Sequence, residues 1–169
     1  MDEKRKGLMK LLEKLQIKTE LIEHEEVFTV EAMMPYLNHC KGVVCKNLFV
    51  KDKKKKRLWL IVAKHDRSIN LSDIAKKVGG SGGFRFADEQ ILLEKLCVSQ
   101  GCVTPLAVFC DQNSDVKVVL DSVFTSDPTE MVYCHPMDNS ATIGMLSSDF
   151  MKFLKHTNHE PIIVNLVDE

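Results

Sequence analysis

The chain lacks any apolar run approaching the ~20 residues that a membrane-spanning helix needs. Its start, Met1 to Lys6, is charged and leads into an amphipathic pattern instead of the apolar block of a signal peptide. A cytoplasmic protein with no membrane partner is the expectation. No C-x-x-C pair occurs among the six cysteines (Cys40, Cys45, Cys97, Cys102, Cys110, Cys134), so neither a zinc ribbon nor a thioredoxin-type site is indicated. Their scatter among apolar neighbours reads as reduced core thiols. The six histidines form no H-E-x-x-H, and no G-x-S-x-G elbow marks a serine hydrolase. Net charge of one sign is missing too, with 23 basic against 24 acidic residues. A polyanion must therefore be met by a local patch instead of a molecular field.

What is present suits one domain over residues 1–169, with 44% hydrophobic and 28% charged residues and neither an internal repeat nor a long linker. Leu8, Leu11, Leu12 and Leu15 follow helical spacing. A strand near Glu20–His24 is expected next, then a short helix capped by Thr29 and disturbed at Pro35. Val43–Lys51 and Leu58–Lys64 read as a hairpin, Leu71–Val78 as a helix stopped by Gly79-Gly80, Phe84–Ala87 as a strand, and Asp88 as the cap of another helix. Leu106–Cys110 and Val116–Leu120 are expected to form a second hairpin. Met131–Cys134 and Ala141–Met145 flank a turn, Ser148 caps a helix, and Pro161–Val167 closes as a strand. The irregular alternation argues for an α/β domain with a mixed, mostly antiparallel sheet and peripheral helices, not a doubly wound parallel sheet.

Several stretches carry chemistry. "GGSGG" (Gly79–Gly83) leads from helix to strand and lacks the G-K-[ST] ending, so it reads as a flexible connector and not a phosphate loop. The run Lys51-Asp52-Lys53-Lys54-Lys55-Lys56-Arg57 is either a solvated hairpin tip or a nucleic-acid contact. Lys46 shares a strand face with Val44, Leu48 and Val50; Asn47 shares the other with Cys45 and Phe49. Lys46 is either an edge lysine snorkelling to water or a cation at a cleft rim, where low dielectric strengthens its pull on a phosphate or carbonyl oxygen. Cys45 beside it is not expected to be a nucleophile. "GCVTP" (Gly101–Pro105) permits close backbone approach, and "HPMDNSAT" (His135–Thr142) sets an imidazole, an amide and a hydroxyl around a turn, although either can be plain loop chemistry.

Taken together and in order, "CKNLFVKDKKKKRLWLIVAK", "FRFADEQIL", "GCVTPLAV" and "CHPMDNSATIGM" resemble the YbaK/ProX family of aminoacyl-tRNA deacylases across essentially the whole chain. The Lys46-Asn47 pair with Leu48-Phe49 is more similar to the free-standing ProX branch, which clears alanine from mischarged proline tRNA, than to the cysteinyl-specific branch. The resemblance implies a compact single domain with a barrel-like sheet, no cofactor and no metal. Its partners would be aminoacylated tRNA, proline tRNA foremost, and aminoacyl-tRNA synthetases. It places catalysis at Lys46, Gly101 and Pro105, and substrate binding at Asn47, Thr104, His135 and Asn139. Lys53, Lys54, Lys55, Lys56 and Arg57 would meet the tRNA backbone. No side chain is an obvious general base, and the resemblance implies that the vicinal ribose hydroxyl helps activate water. The alternatives are a non-catalytic tRNA- or synthetase-binding adaptor of the same fold and a protein-interaction domain whose lysine run is incidental.

Overall fold

A computed structural model describes residues 3–166. The elements run α1 (Glu3–Lys14), β1 (Glu20–Glu23), α2 (Val30–Met33), β2 (Gly42–Asp52), β3 (Leu58–Lys64), α3 (Leu71–Val78), β4 (Phe84–Phe86), α4 (Glu89–Leu96), β5 (Val116–Asp121), β6 (Met131–Cys134), β7 (Ala141–Leu146), α5 (Ser147–His156) and β8 (Ile162–Val164). The strands make one mixed sheet in the order β1-β7-β6-β2-β3-β5-β8, with β4 added alongside β2. The two ends of that path, β1 and β8, are not neighbours, so the barrel-like sheet stays open.

Local chemistry explains most boundaries. Thr29 caps α2 by accepting from the Ala32 N–H at 3.1 Å, and Pro35 turns the following residues, Met34–Leu37, into a 3-10 helix. Asn70 and Asp88 cap α3 and α4 in the same way, accepting from Asp73 N–H and Ile91 N–H. Three corrections follow. Leu106–Cys110 is not a strand: Pro105–Cys110 forms a 3-10 helix, because Thr104 Oγ1 accepts from Leu106 N–H and Pro105 presets the first turn. β5 consequently has no hairpin partner and runs parallel between β3 and β8. Ser148 does not cap α5; Leu146 holds that position without a side-chain bond, and Ser147 Oγ donates instead to the Phe124 carbonyl. The last strand is confined to Ile162–Val164, and Val167 lies outside the described residues.

β3 is the spine. Leu58 through Ala63 are all buried, since both faces of the sheet are covered there. On one face Cys45, Phe49, Leu60 and Val62 pack with residues of α1, α4 and α5. On the other, Val50, Trp59, Ile61 and Ala63 pack with Ile74 and Ala75 of α3. The alternation that puts Lys46 and Asn47 on opposite faces is thus present in the packing. Only Cys45 and Cys134 of the six free thiols are buried; the other four are half-buried.

Candidate functional site

The site begins with a gap in strand pairing. One edge of β2 is covered by β3 from Cys45 to Lys51. The other edge is shared: β6 pairs with Gly42–Val44 and β4 with Val50–Asp52. Between them no strand of the described residues reaches β2. A residue's N–H and C=O point to the same strand edge, and the edge alternates along the chain. Phe49 O accepts from Ala87 N–H on the β4 side, whereas Val44 O accepts from His65 N–H on the β3 side. Asn47, in step with Phe49, therefore turns its backbone N–H and C=O into the gap.

A cleft of about 370 Å³ opens there, within the range of small-ligand sites. Met33, Cys45, Phe49, Leu92 and Val103 give it an apolar side. Lys46, Asn47, Gly101 and His135 give it polar groups. The Asn47 amide donates to Val103 O at 3.1 Å, which ties β2 to the loop 101–105. Its Oδ1 is buried with no hydrogen-bond partner. A buried acceptor without a donor is costly.

His135 Nδ1 lies 3.0 Å from Ala141 O, and because a carbonyl only accepts, Nδ1 carries the proton. Burial pushes the imidazole below its ordinary titration range, against the Ala141 bond that favours the charged form. Neutral His135 thus keeps a bare lone pair on Nε2. Lys46 Nζ donates to Arg67 O at 2.9 Å, which occupies one of its three N–H groups. Arg67 is itself anchored on fully buried Asp121. Cys45 lines the cleft, but burial and its contact with the Cys134 thiol raise its pKa well above the ordinary value. A thiol held protonated is a poor nucleophile.

Of the other expected site residues, Gly101 reaches the cleft and three lie one layer out. Gly101 lines the cleft at φ +91°, a left-handed conformation, and a Cβ there would come within 3.4 Å of Phe28 and 3.9 Å of the Asn139 amide. Thr104 is fully buried as the cap described above, and buried Pro105 starts the 3-10 helix; neither lines the cleft. Asn139 is buried, and its amide donates to Val27 O at 2.7 Å while Val27 N–H donates back to Asn139 O. These three shape the loops and stand behind the cleft lining, Pro105 where a catalytic place was expected and Thr104 and Asn139 where substrate contact was.

The basic tip stands apart. Six residues of strand separate Asn47 from Lys53, about 20 Å at ~3.3 Å each. Lys53 through Lys56 are exposed. Arg57 differs: it pairs with Asp52 at 2.7 Å, donates to Gly79 O and lies over the Trp59 ring. It anchors the tip and is not a free phosphate contact. Burial alone would raise the Asp52 carboxyl, but bonds from Arg57 and Ser81 N–H hold it below the usual carboxylate range. The Gly79–Gly83 segment is no loose connector either, since Ser81 O and Gly83 O accept from Lys54 and Lys53 N–H.

Among the described residues, ligand atoms of Glu20, His39 and Cys40 lie within 4.8 Å of one another, as a metal-binding trio would. None of the three lines the cleft.

Comparison with known proteins decides the family. The sequence profile of the aminoacyl-tRNA editing domain matches residues 24–153, from the segment before α2 into α5. The chain belongs to the aminoacyl-tRNA editing domain family. It is 58% identical over 164 residues to prolyl-tRNA synthetase associated domain-containing protein 1 of Bos taurus, covering 96% of this chain and 95% of that one. It is 36% identical over 155 residues to the prolyl-tRNA editing protein ProX of Acetoanaerobium sticklandii, covering 92% of each. A crystal structure described as a candidate trans-editing enzyme for prolyl tRNA synthetase superposes with a TM-score of 0.72 at 17% identity, covering 100% of this chain and 99% of that one. That likeness is one of fold. Within the family frame, the gap in β2 pairing was not readable from sequence, because it depends on where β4 and β6 stop.

Proposed function

We propose that this editing domain hydrolyses the ester of mischarged aminoacyl-tRNA in trans, with alanyl-tRNA(Pro) as its main substrate. The observation that carries the reading is the unpartnered Asn47 Oδ1 at the one stretch of β2 without a neighbouring strand. An α-ammonium entering the cleft supplies the missing donor once the Asn47 side chain turns its oxygen toward it, and a charge-assisted bond there orients the adjacent ester. The Asn47 backbone N–H, facing the same gap, is available to the carbonyl oxygen as negative charge develops. Lys46 brings positive charge to the ribose–phosphate end through its two uncommitted N–H groups.

Water adds to the carbonyl carbon, its proton passing to the vicinal ribose hydroxyl or the bare Nε2 of His135. The bond from carbon to the ribose oxygen then breaks, and that oxygen takes up the proton. Products are the free amino acid and uncharged tRNA. An aminoacyl ester is already activated, so positioning and charge stabilisation account for most of what the site must supply. Selection for a small side chain would be steric, since hydrophobic contact separates one methylene by only ~1–3 kcal/mol. The exposed lysines of the tip hold the tRNA body, and this reading makes the protein a partner of tRNA and, through a shared substrate, of synthetases.

Hydrolysis measured on alanyl-, cysteinyl-, seryl- and prolyl-tRNA tests the proposal. Turnover is expected on the small aminoacyl groups, alanyl-tRNA(Pro) fastest. Binding of tRNA with no hydrolysis above the spontaneous rate on any member of the panel would favour an adaptor instead.

A further inference from the structure

Among the described residues, the two most exposed large hydrophobic side chains are Phe28, 70% exposed, and Phe86, 63% exposed. Both line the same cleft. Polar and charged residues lie near both, Glu26 and Thr29 by one, Arg85, Asp88 and Glu89 by the other, beside buried Val27 and half-buried Ala87. The two rings stand at two points of a rim that also carries charge, unlike the charge-depleted centre of a protein-partner patch.

Neither ring is loose in its attachment. Val27, immediately before Phe28, is clamped to Asn139 by bonds in both directions. Gly101 closes against the Phe28 ring, where an added Cβ would sit 3.4 Å from Cδ1. Phe86 stands opposite Val50 in the β2–β4 ladder. Two residues earlier on the same strand, Phe84 is buried against Trp59, at 5.4 Å between ring centroids. β4 thus commits one phenylalanine to the core and leaves the other in water at the cleft.

We infer that Phe28 and Phe86 form a stacking subsite for the unpaired terminal bases of an RNA 3′ end, resting on the proposed deacylase reading of this cleft. Every nucleobase offers a flat face to an aromatic ring, and such stacking tolerates sequence. Glu89 lines the same rim as Lys46, so the ring faces add a grip that does not depend on charge. Stacking at the mouth holds the RNA end in the cleft, and the polar groups at Lys46 and Asn47 then place the ester. The tip lysines act on the RNA body through charge; the phenylalanines act on its end through contact.

The test uses the full chain with Phe28→Ala, Phe86→Ala, the double variant and Phe28→Trp. Single-turnover deacylation of alanyl-tRNA(Pro) is followed against enzyme concentration, with thermal melting as the folding control. Each alanine variant is expected to raise the half-saturating concentration by about 5- to 100-fold, the range of one lost base stack. The plateau rate should stay within about twofold, and Phe28→Trp should restore wild-type affinity. Independently of turnover, an uncharged acceptor-stem RNA carrying 2-aminopurine as its terminal base should be quenched by wild-type protein and not by the double variant. Unchanged half-saturation in all variants, or no quenching by wild-type protein, overturns the inference. So does loss of binding to a synthetase with the RNA responses unchanged, which would make the rings a protein anchor. If wild-type protein hydrolyses no aminoacyl-tRNA but quenching and its loss are seen, the stacking subsite stands and the deacylase reading fails.

Discussion

β2 carries two regions that would use charge in opposite ways. At its far end, Lys53–Lys56 stand in water on a tip held by Asp52, Arg57 and the Gly79–Gly83 backbone. Near its middle, Lys46 and Asn47 present a few fixed polar groups in a small, partly apolar cleft. Exposed cations interact with phosphate through a field that salt screens within about 10 Å. Oriented groups in a desolvated cleft act at contact distance and are worth more per group. The same strand thereby joins a region suited to holding a polyanion to one suited to chemistry on its end.

The sharpest way to break this division is Lys46→Ala. If Lys46 meets the reacting end, the plateau rate should fall by roughly 2–4 kcal/mol of transition-state stabilisation, with circular dichroism unchanged. A wild-type plateau for this variant would move Lys46 to the binding class. Next in size, Asp52→Ala should lower unfolding stability by about 3 kcal/mol, toward the small end for a broken buried ion pair because Arg57 is partly exposed. Chemical denaturation reads this directly. The cleft chemistry should persist below the new melting point, since the pair lies at the other end of the strand.

His135 gives a pH arm to the comparison. If Nε2 of His135 takes the proton of the attacking water, the competent form is the neutral imidazole, whose pKa lies below the ordinary 6.5 because burial disfavours the charge. Activity, corrected for spontaneous ester hydrolysis, should hold as pH falls past 6.5 and drop only below it. His135→Gln should remove that acid limb, whereas a limb centred above 6.5 would contradict the assignment. The smallest effect on rate belongs to the tip: Lys54, Lys55 and Lys56 replaced together by alanine should weaken tRNA binding and flatten its salt dependence while the plateau rate is kept. Loss of the plateau rate would merge the two regions into one.

Much of this was legible in sequence where the signal is local. Helix α3 announced its end through Gly79 and α4 its start through Asp88, and the hairpin showed itself through period-2 apolar residues, whereas the Asn70 cap of α3 emerged only in the structure. Leu106–Cys110 misled because five apolar residues fit strand and helix alike, and the Thr104–Pro105 start favours the 3-10 turn only once Thr104 is buried. Lys46 and Asn47 were identifiable by resemblance, but the gap that exposes them depends on non-local register. Asp52 was hidden inside a lysine run, where one carboxylate reads as a break in charge and not as the buried anchor of the tip. Phe28 and Phe86 gave no periodic signal, since what distinguishes them is exposure.

The most direct test of the central claim is single-turnover deacylation of alanyl-tRNA(Pro) at saturating enzyme, comparing wild type, Asn47→Ala and the triple tip variant. The account predicts that Asn47→Ala slows the step about 10- to 100-fold, the worth of one charge-assisted hydrogen bond, while the tip variant reacts at the wild-type rate. An Asn47→Ala protein that matches wild type, or a wild type no faster than spontaneous hydrolysis, would contradict it.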